Sequence, residues 1–204
     1  MKLEVKDLTF YYPGRKERPV LEYFDLEISS GERVGLKGPS GCGKTTLCQV
    51  MAGYRKAPAG QVLLDGNPVS SLRGACPVQM VWQHPETAVD PLLRLRKTME
   101  EAGNVETRIL EELHIEEAWM ERYPSELSGG ELQRFCLARA LRPETKFLLC
   151  DEISAMLDLV TQAQIWDFLI READRRKLGL LVVSHNDALL EKVCTRIVRM
   201  DEKL

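Results

Sequence analysis

The sequence has no run approaching the roughly 18 to 20 uncharged apolar residues that a membrane-spanning helix needs. Its first residues, Met1-Lys2-Leu3-Glu4-Val5-Lys6-Asp7, alternate charge and lack the apolar core of a secretion signal. A cytoplasmic location is therefore expected, with any membrane role exercised through partners. Positive charge is not in surplus either. The 28 Lys+Arg against 31 Asp+Glu leave a net charge of −3, which argues against a basic surface that grips nucleic acid. None of the six cysteines (Cys42, Cys48, Cys76, Cys136, Cys150, Cys194) belongs to a C-x-x-C pair, and most adjoin apolar residues. Reduced, mostly buried thiols are expected rather than a disulfide framework or a zinc site. No internal repeat, low-complexity tract or Pro/Gly/Ser linker divides the chain. With 44% hydrophobic and 29% charged residues over 204 positions, the composition fits one folded domain and excludes intrinsic disorder.

The N-terminal third reads as strands. Leu3 to Phe10 largely alternates apolar and polar side chains, as a half-buried strand does. Val20 to Ile28 and Arg33 to Lys37 are further candidates, and Gln61 to Asn67 ends in an Asp-Gly turn signal, like one arm of a hairpin. From about Pro91 to Met120 the spacing of Ile109, Leu110 and Leu113 among charges favours short helices. From Phe147 the order is strand, helix, strand, helix, strand. Phe147 to Cys150 and Leu178 to Val183 are near-continuous apolar runs, typical of parallel strands covered on both faces, with Ile165 to Arg175 as the helix between them. The expected fold is an α/β core with an antiparallel β start and a helical insert.

Gly38-Pro39-Ser40-Gly41-Cys42-Gly43-Lys44-Thr45-Thr46 fits G-x-x-x-x-G-K-[ST], after a strand and before the amphipathic stretch Thr46 to Ala52. Glycines let backbone N–H groups wrap phosphates without a Cβ in the way, and the helix presents its positive end to the same anion. Lys44 is placed to set a charge on the β- and γ-phosphates, and Thr45 to offer its hydroxyl to Mg²⁺. The loop alone does not separate an ATPase from a GTPase or a kinase.

Asp151 and Glu152 follow the apolar run Phe147 to Cys150. A carboxylate at the end of a buried strand is placed to hold Mg²⁺. Its neighbour points another way and can orient or deprotonate an attacking water, a contribution on the order of 10²- to 10⁴-fold. His185 follows Leu181-Val182-Val183-Ser184 at the end of the next strand. Ends of neighbouring parallel strands lie side by side, so His185 and the acidic pair should share one crevice. His84 and His114 have no such context and read as surface or loop residues.

Leu127-Ser128-Gly129-Gly130-Glu131-Leu132-Gln133-Arg134 resembles the signature motif of the ABC-type ATPases, LSGGQ-x-QR, and further landmarks stand in that family's order. Gln83 in Val81-Trp82-Gln83 matches the Q-loop, Asp151-Glu152 match the Walker B aspartate and catalytic glutamate, Ala155-Met156-Leu157-Asp158 falls at the D-loop, and Ser184-His185 at the switch histidine. Tyr12 sits where an adenine-stacking aromatic is expected, with Phe10 and Tyr11 as competing assignments. The likeness covers nearly the whole chain.

The resemblance implies a P-loop NTPase (RecA-like) core with an N-terminal antiparallel β subdomain (about 1–30 and 55–75) and a short helical subdomain (about 84–135). It implies ATP and Mg²⁺ as cofactors, Lys44, Gln83, Glu152 and His185 as catalytic residues, and Thr45, Gln83 and Asp151 around the metal. ATP would be enclosed between the phosphate loop and Tyr12 of one subunit and Ser128, Gly129, Gly130, Glu131 and Asp158 of a second. The implied partners are that second ATPase subunit, two transmembrane permease chains at the cytoplasmic face of the membrane and, indirectly, a solute-binding protein.

A narrower likeness joins these. Gln83-His84-Pro85-Glu86-Thr87-Ala88-Val89-Asp90-Pro91, Tyr123-Pro124-Ser125-Glu126-Leu127 and Asp158 to Gln164 resemble stretches of the peptide and nickel importer ATPases. Departures from the family are Glu131 for the usual glutamine, Ala155 for the D-loop serine and Ile153 for proline. His84 and Asp90 replace the Asp and Asn of the importer pattern. The span from Gln83 to Ser128 is short, so the helical subdomain is expected to be abbreviated. The sequence runs only to Leu204, so the cysteine-bearing C-terminal extension of many peptide importers is not expected. An exporter ATPase, and an ABC-type ATPase working in DNA repair or at the ribosome, are the alternatives. The absence of long coiled-coil or zinc insertions, and the charge, speak against the second.

Overall fold

The computed structural model describes residues 1–14 and 19–200; residues 15–18 of the expected β subdomain, and Leu204, lie outside them. Two sheets organise the chain. An antiparallel sheet has the order β2-β1-β4-β5, built from β1 (Lys2–Phe10), β2 (Leu21–Ser29), β4 (Ala59–Leu64) and β5 (Asn67–Pro68). The Asp-Gly signal is the turn between β4 and β5, with Asp65 at φ 47°. A parallel sheet has the order β6-β7-β8-β3-β9, built from β3 (Arg33–Lys37), β6 (Val78–Val81), β7 (Phe147–Asp151), β8 (Gly179–Val183) and β9 (Arg196–Arg199).

The parallel strands are apolar throughout because each face has its own cover. Phe147, Leu149, Leu181 and Val183 face the cluster that includes Leu47 and Met51 of α1 (Lys44–Met51). The alternate residues Leu148, Cys150, Leu180 and Val182 face Ile165, Phe168 and Leu169 of α5 (Leu159–Arg176). The order β7-β8-β3 then fixes the geometry that matters. Asp151 pairs with Val183, and Val183 with Leu36, so the segments leaving these three strands emerge side by side.

The helical insert contains α2 (Leu95–Glu101) and α3 (Thr107–Glu112), and α4 (Gly129–Ala140) follows it. Leu95, Trp119, Met120, Leu132, Phe135 and Cys136 form its own apolar cluster. The last helix is α6 (Asp187–Val193). Helix α5 begins six residues before the expected Ile165, because Asp158 caps it: Oδ1 accepts from the N–H groups of Val160 and Thr161, both at 3.0 Å. The α4 helix likewise runs past 135, to Ala140. Three cysteines (Cys48, Cys136, Cys150) are buried, whereas Cys42, Cys76 and Cys194 are half-buried. Burial therefore covers half of the thiols rather than most, and it pushes Cys136 up to about 12. Among the described residues no helix is long and apolar enough to cross a membrane.

Candidate functional site

The loop after β3 turns once, the Cys42 N–H donating to the Pro39 carbonyl at 3.3 Å, before α1 starts at Lys44. Gly43, the residue preceding the helix, has φ 108°, in the region side chains avoid. A Cβ there would meet Val20 Cγ1 at 2.9 Å. At Gly38 the reason is space alone: a Cβ would lie 2.8 Å from Cys42 Sγ. The ammonium of Lys44 is buried across the loop and donates to the carbonyls of Gly38 (2.8 Å) and Pro39 (2.9 Å).

A cavity of about 890 Å³ opens over this loop. Its walls include Ser40, Gly41, Cys42, Gly43, Lys44, Thr45 and Thr46, and also Tyr12, Gln83, Glu152 and His185. Five separate segments thus bring together the phosphate loop, Tyr12 and the three polar side chains Gln83, Glu152 and His185. Gly38 and Pro39 stay behind the wall, holding Lys44.

Asp151, at the end of β7, is 2% exposed. Burial pushes its carboxyl upward, and the charge of Glu152 adds to that. The Thr45 hydroxyl and the nearby Lys44 ammonium act the other way. A buried carboxylate, a hydroxyl and the Gln83 amide suit a small hard cation that takes its remaining oxygens from phosphate and water. Among the described residues no group of three His, Cys, Asp or Glu is placed to hold a metal ion.

Glu152 leaves the strand in a left-handed conformation, φ 50°, which costs about 1–2 kcal/mol in a residue other than glycine. Its N–H is held by the carbonyl of Val183 (3.1 Å). The turn swings the side chain off the strand direction into the cavity. There Oε1 lies 3.0 Å from His185 Nε2 and Oε2 accepts from Gln83 Nε2 at 3.3 Å.

Of the three aromatic candidates, Phe10 is buried in the core and Tyr11 is absent from the cavity wall. Tyr12 is on it. The far wall, Pro19, Val20, Glu22 and Met200, carries no motif and had no signal in the sequence.

The signature segment lies elsewhere. Ser128 and Gly129 are exposed, Gly130 is half-buried, and none of them, nor Glu131 or Asp158, lines the cavity. Ser128 caps α4: its Oγ accepts from the Glu131 N–H (3.3 Å), and Glu131 Oε2 accepts from the Ser128 N–H (2.7 Å). The Ser128 hydroxyl and backbone hold the Glu131 carboxyl below its ordinary range. Glutamate and glutamine both make this reciprocal cap, which explains physically why Glu131 can stand where the family has glutamine. Ile153 (3% exposed) is core, and Ala155 is exposed on the loop after Glu152.

The family model "ABC transporter" matches residues 21–155. The chain is 33% identical over 225 residues to the nickel import ATP-binding protein NikE of Escherichia coli O6:K15:H31, covering 98% of this chain and 83% of the relative. It is 31% identical over 209 residues to the nickel import system ATP-binding protein NikE of Staphylococcus aureus, covering 96% and 85%. Among solved structures, it matches the dimeric post-hydrolysis state of the ATP-binding cassette MJ0796 bound to ADP and Pi. That match has a TM-score of 0.80 and 25% identity over 97% of this chain and 93% of that one.

Proposed function

The chain belongs to the ABC transporter family of ATP-binding subunits, and we propose that it powers the import of nickel or a related small solute, as its curated relatives' names say of them. It is an ATPase that binds ATP and hydrolyses it as part of a membrane transporter, and it works as a dimer of cassettes.

The lining of the cavity supports a role for each residue. Lys44 donates its ammonium protons to the β- and γ-phosphate oxygens, and the N–H groups of 40–45 wrap them. Thr45, Asp151 and Gln83 would hold Mg²⁺, which when bound neutralises charge on those oxygens. Glu152 takes the proton of the attacking water. Each of its oxygens has one hydrogen-bonding neighbour, His185 or Gln83, and a second lone pair remains to accept. Tyr12 stacks on the base, a contact worth about 1–3 kcal/mol.

The single observation that carries the reading is the split between two surfaces. Lys44, Gln83, Glu152 and His185 share one cavity, while Ser128 and Gly129, at the exposed N-terminus of α4 with its positive end, lie outside it. A second subunit placed head to tail would bring its Ser128, Gly129, Gly130, Glu131 and Asp158 to this ATP. A separate groove of about 370 Å³ beside the helical insert is lined by Tyr54, Trp82, Ala88, Arg139 and Arg142. One permease chain per ATPase subunit docks there, at the cytoplasmic face of the membrane, and a solute-binding protein delivers the cargo to that permease pair.

Uptake of radiolabelled Ni²⁺ by cells lacking this chain tests the cargo. Uptake should fall, and should return with the wild-type chain but not with Lys44→Ala. Uptake indifferent to the deletion contradicts the nickel assignment.

A further inference from the structure

Tyr12 is held on three sides. Its hydroxyl hydrogen-bonds with Thr46 Oγ1 at 2.9 Å, in the first turn of α1. Its ring meets Phe10 edge-on, with centroids 5.3 Å apart and planes at 85°. Over its face, 5.2 Å from the ring centroid, lies the guanidinium carbon of Arg55. Arg55 is itself fixed to the helix of the phosphate loop: its Nε donates to Gln49 Oε1, and its backbone N–H to the Gln49 carbonyl at 3.2 Å. Tyr12 is on the cavity wall, and Arg55, stacked on its ring, is not.

We infer that Arg55 is a positioning residue for nucleotide binding: it backs the Tyr12 ring so that guanidinium, phenol and base form a three-layer stack. The inference rests on the reading of Tyr12 as the base-stacking side chain. Two physical effects follow from the arrangement. A cation over an aromatic face is attracted by the ring quadrupole, which holds the ring upright before a nucleotide arrives, and an ordered ring loses less freedom on binding. The hydroxyl contact with Thr46 joins this platform to the helix that carries the phosphate loop, so base and phosphate surfaces are set relative to each other. Arg55 is exposed, so its contribution belongs at the weak end of cation–π contacts. It should appear as a roughly two- to fivefold change in affinity.

The experiment is calorimetric titration of the full chain with ATP and, separately, with inorganic tripolyphosphate, which has the charges but no base. Tyr12→Ala should weaken ATP and leave tripolyphosphate unchanged. Arg55→Met should weaken ATP roughly two- to fivefold, again sparing tripolyphosphate, and Arg55→Lys should recover part of the loss. If Tyr12→Ala weakens ATP and Arg55→Met does not, the three-layer stack is wrong while the stacking role of Tyr12 stands. If Tyr12→Ala has no effect on ATP, the stacking role fails and the inference with it. Tighter ATP binding in Arg55→Met would mean that the guanidinium competes for the base's place. Equal weakening of both ligands would mean that it acts on the phosphate loop. Either result overturns the proposal.

Discussion

His185 Nε2 lies 3.0 Å from Glu152 Oε1, across a gap that two different strands create. Glu152 follows β7 and His185 follows β8, and the pairing of Asp151 with Val183 fixes their separation. The left-handed backbone at Glu152 completes the relationship by turning its carboxylate toward the imidazole. The same carboxylate is steadied from the other side by Gln83.

The first prediction concerns the chemistry. Glu152→Gln keeps the shape, but it turns one accepting oxygen into a donor and cannot take up a proton. Turnover should drop at least about tenfold, the low end of a lost general base, while ATP affinity stays near that of the wild type. His185→Ala should lower kcat with little change in KM, because it frees one carboxylate oxygen without touching the phosphate loop. Steady-state kinetics beside equilibrium ATP titration checks both, and wild-type turnover in Glu152→Gln removes that residue as the base.

A second prediction concerns the loop between Glu152 and Asp158. Ser154 is 4% exposed, and its hydroxyl accepts from Gln162 Nε2 (2.9 Å) and Trp166 Nε1 (3.0 Å) of α5. Ser154→Ala leaves the buried Trp166 Nε1 donor unmatched, a cost of about 1–3 kcal/mol, while the half-buried Gln162 Nε2 keeps its second acceptor, the Ser154 carbonyl at 3.2 Å. Ser154→Thr restores the acceptor and should recover most of that stability. Urea unfolding followed through tryptophan fluorescence reads the loss; equal stability of Ser154→Ala and wild type would show that the anchor carries nothing.

Acid should weaken one specific tether. Glu172, 1% exposed, lies 2.7 Å from Arg108 Nη2, 2.8 Å from Arg175 Nη2 and 3.5 Å from Arg176 Nη1, which ties α3 of the helical insert to α5. Burial alone would raise its carboxyl, but the Arg175 and Arg108 guanidiniums outweigh burial and hold it below the usual range. A depressed carboxylate contributes stability above its unfolded value and loses it as pH falls through the folded one. Glu172→Gln should therefore cost about 1–3 kcal/mol at pH 7, less than a fully buried pair because the arginines reach water. The gap to wild type should close as pH falls below about 4. A gap constant from pH 7 to pH 3 would contradict the charge-based account.

The cap of α4 offers a milder test. Glu131→Gln keeps the reciprocal bond to the Ser128 N–H and should change the thermal midpoint little. Glu131→Ala should cost roughly 1 kcal/mol, as lost caps do. Thermal unfolding of the two variants side by side decides it, and identical midpoints would leave the cap without energetic weight.

Much of this site was legible in the sequence because its chemistry is local. The phosphate loop is nine contiguous residues, and Asp151-Glu152 and His185 each end an apolar run, so parallel pairing places them together without further information. The start of α5 was misplaced because the apolar pattern begins only at Ile165; the signal was the capping Asp158. The left-handed turn at Glu152 could not be read, since glutamate has no preference for it and the Val183 carbonyl that holds it is distant in sequence. Arg55 over Tyr12, Arg108 on Glu172 and the wall made by Val20, Glu22 and Met200 are long-range contacts between ordinary residues. No spacing announces them.

The central claim is that ATP is held between the cavity of one subunit and the Ser128 end of α4 of another. Light scattering of Glu152→Gln tests it most directly, because that variant should bind ATP without consuming it. The chain should be monomeric without nucleotide and dimeric with ATP and Mg²⁺, holding two ATP per dimer. Adding Ser128→Arg should keep ATP binding and abolish the dimer. A chain that stays monomeric at saturating ATP, or a dimer that survives Ser128→Arg, would contradict the composite site.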